Sequence, residues 1–468
     1  MKYISTRGQC APVDFETAVM TGLAPDGGLF LPDRIPDVSD KLEKWSRLAY
    51  PDLACEIFRL FCGIPRAELK RIIEKSYSAF SHPAIAPLKR FDNLYLLELF
   101  HGPTLAFKDF ALQFLGNLFE YFLRRSGKEL NLVAATSGDT GSAAIAGVKG
   151  KKNIRIFVLF PFGRVSPAQE LQMTTVLDKN VCCLAVRGSF DDCQNIVKSL
   201  LSDLNFRSEF SLGAVNSINW ARILAQVVYY FYAYFQVRSL SGQERVSFAV
   251  PTGNFGDIFA GYFARRMGLP VARLVLATNR NRILADFFEK GVYERGMVRQ
   301  TLSPSMDIQV ASNFERYLYY RLGKDPAKVR GIMAKFARDG KFTLRDMGLK
   351  TRDKLFVAAS ADTPATLSEI RRCWRENNYV LDPHTAVGVH AAGNFLSGRE
   401  PMICLATAHP AKFENAVKRA LGRDFSRCRE QVLHPALEAL KKKKTRRFVL
   451  PADVDKVKSF IIAGVNDS

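Results

Sequence analysis

No CxxC pair occurs among the nine cysteines, and the adjacent Cys182 and Cys183 cannot form a routine disulfide with each other. A disulfide framework and a thiolate metal site are both without support, so free thiols in a reducing compartment are expected. The six histidines are scattered without metal-ligand spacing, and no metal is expected. No apolar run reaches bilayer length, because Ile223 to Val237 is broken by Gln226 and Gln236 and is rich in tyrosine. The opening MKYISTRGQC carries neither an apolar signal stretch nor an Arg/Ser-rich presequence, so the expectation is a cytoplasmic protein with no membrane partner. There is no GxGxxG, and no lysine in the Walker position, which argues against a dinucleotide or a nucleoside triphosphate.

What the chain has is positive charge, a formal +21. Most basic residues sit singly within amphipathic helical patterns, and the one dense run is Lys441 to Arg447. No zinc-finger, RNP or helix-turn-helix pattern accompanies it, so a solvated loop is expected and no nucleic-acid partner. With 468 residues, 47% of them hydrophobic, the chain can bury large cores in two or three domains.

From residue 94 onward apolar strands alternate with helices. Strands are predicted at Leu94 to Phe100, Leu132 to Thr136, Ile154 to Phe160, Val181 to Val186, Val246 to Val250, Leu274 to Ala277 and Met402 to Thr407. Helices are predicted at Phe107 to Arg125, Ser142 to Val148 and Pro167 to Val176. Strands apolar throughout and separated by helices indicate an α/β protein with parallel sheets covered on both faces. Ligands in such folds bind at the carboxyl ends of strands, where the next loop leads into a helix N-terminus.

Three such loops could carry chemistry. Thr136 to Ser142 offers glycines, the hydroxyls of Ser137 and Thr140, and a helix dipole suited to a carboxylate or phosphate. Gly253, Asn254, Phe255 and Gly256 offer consecutive amides that can form a nest around one small phosphate. Thr407 ends a strand with a hydroxyl that could face a ring nitrogen without charge. Elsewhere, Asn216 to Arg222 clusters Ser217, Asn219 and Arg222 at the positive end of a hydrophobic helix. Ser166 precedes Pro167 in the usual N-cap arrangement, with Arg164 two residues before it. His384 and His409 read as satisfied histidines rather than catalysts.

Lys108 is the odd residue. It opens a helix whose Phe107, Phe110, Phe114 and Leu118 form an apolar face. Burial there would depress the amine's pKa, and a neutral amine can attack a carbonyl to form a Schiff base. An amine in an apolar setting, a phosphate nest, a second anion loop and a neutral hydroxyl together describe a site for pyridoxal 5'-phosphate.

The sequence also resembles the threonine synthases, in the branch found in fungi and many bacteria. The likeness runs through Tyr3 to Gly8, Leu23 to Gly28, His101 to Phe110, Ser137 to Gly141, Gly163 to Pro167, Asn216 to Arg222 and Pro251 to Asp257. It continues in Thr301 to Pro304, Ser312 to Glu315, Asp382 to Gly388 and Ala406 to Phe413. The resemblance implies a fold of the tryptophan-synthase β type: two three-layer α/β domains with an N-terminal extension. The implied division is 1–92, then 93–215 with the cofactor lysine, then 216–468 with the phosphate loop and a C-terminal helical tail. It implies a lyase converting O-phospho-L-homoserine and water to L-threonine and phosphate, and a monomer.

By carry-over, Lys108 holds the cofactor. Gly253, Asn254, Phe255, Gly256 and Asp257 surround its phosphate, Thr407 faces its pyridine nitrogen, and Asp139 lies near its phenolic oxygen. Ser137, Gly138, Thr140 and Gly141 would receive the substrate carboxylate. An ionised Asp139 there needs a bound proton or another partner. Arg164, Ser166, Ser217, Asn219, Arg222 and Lys412 are candidates for the departing phosphate, with Ser166 and Arg222 favoured. One departure from the family is Arg280 and Arg282, where acidic residues are usual.

Overall fold

The computed structural model describes residues 1–396, 398 and 400–466. Two large sheets carry the architecture. The larger runs, edge to edge, through Phe356–Ser360, Val271–Thr278, Val246–Pro251, Met402–Ala406, Leu94–Glu98 and Leu88–Phe91. All its pairs are parallel except the last, a hairpin-edge strand whose Leu88 lies opposite Leu97. The smaller, wholly parallel sheet runs through Phe448–Pro451, Val181–Arg187, Ile154–Pro161, Leu130–Ala135 and Leu212–Ala214.

Alternate side chains of each strand enter different cores, as a sheet covered on both faces requires. In the larger sheet Tyr95, Leu97, Phe248 and Val250 join one cluster, while Leu94, Leu96, Ala249 and Cys404 join another. In the smaller sheet Leu132, Ile156 and Val158 face the first cluster, and Val133, Phe157 and Leu159 face Ile196, Leu200, Val457 and Ile461. The α/β class expected from the pattern is therefore present.

The sheets do not follow the expected boundaries at 92/93 and 215/216. Leu94–Glu98 pairs with Met402–Ala406 in the larger sheet, and Phe448–Pro451 with helix Val454–Asn466 completes the smaller one. The C-terminal tail thus belongs with the middle of the chain. Local pattern specifies that a segment is a strand, whereas partner choice is a long-range property it does not carry.

Two helices lie between the sheets and are buried nearly all round: Lys108–Ser126 and Trp220–Ser241. Phe110 of the first meets Tyr229 of the second, with ring centroids 5.6 Å apart. The N-terminal region packs upon them through Tyr50 and Tyr77, whose rings lie 5.6 and 6.1 Å from that of Phe110. It also grips the helix Phe314–Arg321, where Thr6 Oγ1 donates to Glu315 at 2.6 Å and Arg7 pairs with the same carboxylate at 2.9 Å.

Candidate active site

Lys108 is placed by strand geometry before it is placed by its helix. The loop after Leu94–Glu98 runs beside the segment after Met402–Ala406: Leu99 N donates to Ala406 O at 2.9 Å, and Phe107 N donates to Thr407 O at 2.9 Å. Lys108 then begins its helix at the carboxyl end of the larger sheet, next to Thr407.

Asp139 reaches the same place from the smaller sheet. Its helix, Asp139–Val148, crosses Lys108–Ser126 at a glycine contact: a Cβ on Gly116 would lie 2.1 Å from Gly147 O, and one on Gly147 would lie 2.4 Å from Leu112 O. Only glycines permit that approach. The preceding Gly138 has φ 135°, and a Cβ there would sit 2.4 Å from Gln169 Cδ.

At the meeting point the polar atoms form one network. Lys108 Nζ donates to Ser305 Oγ at 3.1 Å and lies 3.5 Å from Asp139 Oδ2. Ser305 Oγ donates to Asp139 Oδ2 at 3.3 Å, and Ser305 N donates to His384 Nε2 at 3.3 Å. Asp139 Oδ1 receives Lys412 Nζ at 2.7 Å and Gln169 Nε2 at 2.8 Å. His384 is fixed by Asp382, whose Oδ1 lies 2.9 Å from His384 Nδ1. Asp382 Oδ2 also accepts the Thr385 hydroxyl, whose oxygen in turn accepts Thr407 N at 3.2 Å.

Burial lowers the pKa of the Lys108 amine; Asp139 opposes this, while Lys412 and Arg222 add to it. Burial would raise the Asp139 carboxyl, yet the positive charge of Lys412 and Lys108, with His384 beside them, holds it well below the usual range. Asp139 is therefore an ionised carboxylate with a partner, and needs no bound proton.

The expected nest, Gly253 to Gly256, forms a turn at the head of the helix Gly256–Arg266. Phe255 takes the left-handed conformation at φ 63°, and its side chain is locked among Phe288, Phe314, Tyr317 and Phe356. A Cβ on Gly253 would come within 2.5 Å of Ser305 O, so this turn lies directly against the network. Gly253, Asn254 and Gly256 remain partly exposed at the start of the helix Gly256–Arg266.

Arg222 sits in the first turn of Trp220–Ser241, 5% exposed, with neither Nε nor Nη1 hydrogen-bonded. Burial lowers its pKa to about 10. The contrast is Arg316, fully buried, whose Nε and Nη2 donate to Phe30 O at 3.1 and 2.9 Å. Arg316 is a structural arginine with its hydrogen bonds made; Arg222 is a desolvated cation lacking an anion, close enough to lower the Lys108 amine.

Several expected site residues have other employment. Asp257 turns its carboxyl into the core, where Tyr229 and Tyr230 donate to it at 2.5 and 3.0 Å, and burial raises its pKa to about 7. Its side chain cannot serve the nest, though its helix N-terminal amide can. The Gly138 and Gly141 amides both donate to Thr136 Oγ1 at 2.9 Å, so this loop offers the hydroxyls of Ser137 and Thr140 rather than those two amides. Ser166 completes a capping box with Gln169, its hydroxyl donating to Gln169 Oε1 at 2.8 Å. Asn219 caps its helix and donates to Val19 O at 2.8 Å. Ser217 is half-buried and receives Asn313 Nδ2 on its carbonyl at 3.1 Å, and Arg164 is exposed. Lys412 is neutralised by Asp139. Arg282 pairs with Glu289 at 2.6 Å, away from this network.

Ser305, His384 and Gln169 were not anticipated as site residues. Of these only Gln169 left a readable signal, the Ser-Pro-Ala-Gln spacing of a capping box. Among the described residues no cluster of metal-ligating side chains occurs, and no helix is long and apolar enough to cross a membrane.

Comparison with known proteins agrees with this geometry. Family models described as threonine synthase N terminus, pyridoxal-phosphate dependent enzyme, and threonine synthase, C-terminal, match residues 2–77, 81–407 and 385–461 respectively. The chain is 48% identical over 461 residues to the threonine synthase of Schizosaccharomyces pombe, covering 90% of this chain and 89% of that one. It is 46% identical to that of Saccharomyces cerevisiae, covering 98% and 97%. Among solved structures, a threonine synthase from yeast superposes with a TM-score of 0.93 at 44% identity over 100% of this chain and 99% of that one. A pyridoxal-phosphate-bound threonine synthase from Brucella melitensis does so at 0.92 and 44%, over 99% of both chains.

Proposed function

The chain belongs to the threonine synthase family of pyridoxal-phosphate-dependent enzymes, and we propose that it converts O-phospho-L-homoserine and water to L-threonine and phosphate, with Lys108 at the reacting centre. The observation that carries this reading is a buried lysine of lowered pKa at the seam of two sheets, beside an open amide nest and an unpaired buried arginine.

The residues fit pyridoxal phosphate on their own chemistry. A Cβ at 253 would collide with Ser305 O, so glycine is required where the Gly253 to Gly256 turn packs against that loop, and the amides of the turn suit one phosphate. Lys108 supplies the amine for covalent attachment, and Thr407 a neutral hydroxyl. When bound, the cofactor serves as an electron sink for charge left on substrate carbon after a proton is removed.

The protein's own groups do the rest. Lys108, its amine lowered in pKa by burial, takes a proton from the substrate α-carbon and serves as base and then acid at the neighbouring carbons. Ser137 and Thr140 bind the substrate carboxylate at the N-terminus of Asp139–Val148, with the dipole in their favour. Arg222 binds the substrate phosphate and supports its departure. Its charge is already desolvated, so binding an anion gains an ion pair without a further dehydration cost on that side. Water adds at the β-carbon, the γ-carbon gains a proton in place of the departed phosphate, and the α-carbon recovers the proton it lost.

The division of the chain that suits this chemistry follows the two sheets rather than contiguous sequence. We place the enzyme in the cytoplasm as a monomer acting on a small molecule, without a nucleic-acid partner. In support, Lys441 to Lys444 are exposed, Lys441 pairs with Glu438 at 2.7 Å, and Arg446 donates to the Asp178 and Val181 carbonyls at 2.6 and 3.0 Å.

The test is borohydride reduction of the cofactor-loaded protein followed by peptide mapping. The label is expected on Lys108, and K108A is expected to fold but to form no threonine from phosphohomoserine. A label on another lysine, or threonine formed by K108A, overturns the assignment. Release of phosphate with a keto acid in place of threonine would identify a different lyase.

A further inference from the structure

Lys412 is the most completely buried amine at the site, its side chain 0% exposed. It stands in the turn Pro410–Phe413 after a central strand of the larger sheet, yet both its contacts reach elsewhere. Nζ donates to Thr104 O at 2.8 Å, in the loop that delivers Lys108, and pairs with Asp139 Oδ1 at 2.7 Å, at the head of the helix from the smaller sheet. The Thr104 loop is itself rigid, since Thr104 N and Oγ1 donate to Asp109 at 2.8 and 2.7 Å. Gln169 Nε2 shares Asp139 Oδ1 with Lys412, leaving Oδ2 for Ser305 and Lys108.

The charged and titratable groups facing this cluster come from five elements. They are Lys108 and Asp109 from one helix, Asp139 from the second, Arg222 from the third, His384 with Asp382 behind it from the helix Pro383–Gly393, and Lys412 with His409 from the turn. An isolated carboxylate this buried would take a proton or Lys108's own charge. With Lys412 on one oxygen it depends on neither.

We infer that Lys412 is a positioning residue that acts through Asp139: it ties the two halves of the site together and neutralises Asp139, so that Lys108 is not held as Asp139's counter-cation. This rests on Lys108 being the reacting amine. Remove Lys412, and Asp139 retains Lys108 as its nearest full-time cation, with one repulsive positive charge gone as well. Lys108 then keeps its proton to higher pH. Remove Asp139 instead, and Lys108 faces Lys412 and Arg222 without an anion, so it loses its proton more readily.

The experiment measures the acylation rate of Lys108 against pH in cofactor-free protein, by peptide mass spectrometry after a short pulse of acetic anhydride. In K412M the midpoint is expected to rise by about one pH unit, equivalent to a tenfold smaller neutral fraction at a given lower pH. In D139N it is expected to fall. In turnover, K412M should lose kcat about tenfold near neutral pH, with KM within about threefold, and recover at higher pH. A merely structural role would lower the folded fraction at every pH and leave the Lys108 midpoint unmoved, and that result overturns the proposal. If K412M does not fold, D139N is compared with D139N/K412M, in which no charge of the pair remains buried. The double variant should have the higher midpoint, and coincident midpoints overturn the proposal equally. Acylation reads the amine itself, so this outcome is separate from whether the cofactor maps to Lys108.

Discussion

Replacing Asp257 by asparagine separates two roles that its place in the phosphate-loop sequence would conflate. Its carboxyl is buried against Tyr229 and Tyr230, and burial raises its pKa from 3.8 to about 7. The native state therefore binds this proton more tightly than the unfolded chain. The associated stability is fully present below about pH 4, declines as pH rises, and is gone once pH passes about 7. A shift of roughly three pKa units is equivalent to about 4 kcal/mol, an upper figure because the unfolded chain retains some structure. Asparagine keeps an oxygen to accept from Tyr229 and has no proton to lose. Denaturant or thermal unfolding of wild type and D257N, run in parallel from about pH 5 to about pH 8.5, should show the variant equal or weaker at the acid end and stronger by up to about 4 kcal/mol at the alkaline end. Cofactor affinity should change less than about threefold, since the loop offers the backbone at this position. A stability difference that stays constant with pH, or a large loss of cofactor affinity with the fold intact, would refute this account of Asp257.

Two further substitutions probe the anion sites. R222M removes a buried cation with two nitrogens unpaired, so the cofactor-free protein should gain about 2 kcal/mol of stability while threonine formation is lost. Inorganic phosphate should raise the Tm of wild type and not of R222M, and a variant less stable than wild type would show that Arg222 has a structural partner instead. T136V withdraws the acceptor shared by the buried Gly138 and Gly141 amides, at about 1–3 kcal/mol for each, and should raise KM for phosphohomoserine through the displaced Ser137 and Thr140 hydroxyls. Thermal unfolding and steady-state kinetics check both effects, and an unchanged KM would remove this loop from carboxylate recognition.

Where chemistry depends on one residue and its near neighbours, the sequence was legible. Leu130–Ala135 and Val246–Pro251 announced themselves as apolar runs ending in glycine-bearing loops, and Lys108 as a charge on an aromatic face. The left-handed Phe255 and the glycines beside it form the turn that their order suggested. Polar residues near the site also hold the fold, a role that spacing does not separate from ligand binding. Asn219 and Ser166 are helix caps, a role their positions already allowed, and Asp257 is held by tyrosines on another helix. Ser305 and His384 could not be found from spacing, because each enters through a backbone approach, at Gly253 and Ser305 N, that no local pattern records.

The strand exchange between the sheets explains why so much of this site is cross-bracing. Lys108 takes its position from the larger sheet, through the Phe107 to Thr407 hydrogen bond, and its helix packs closely on the helix that carries Asp139 from the smaller one. A site split in this way is only as well ordered as the joint between its halves. Weak polar contacts at the seam would let Lys108 and Asp139 drift by more than the half-ångström that proton transfer tolerates. The chain meets this with contacts that are short and buried. Lys412 spans the Thr104 loop and Asp139, Gln169 joins Asp139 to the cap of the next helix, and Gln172 donates to the same Thr104 carbonyl at 2.9 Å. The seam pairs Asp139 with its own lysines and leaves Arg222 without an anion, so a desolvated buried cation stands in a position to attract an anionic substrate.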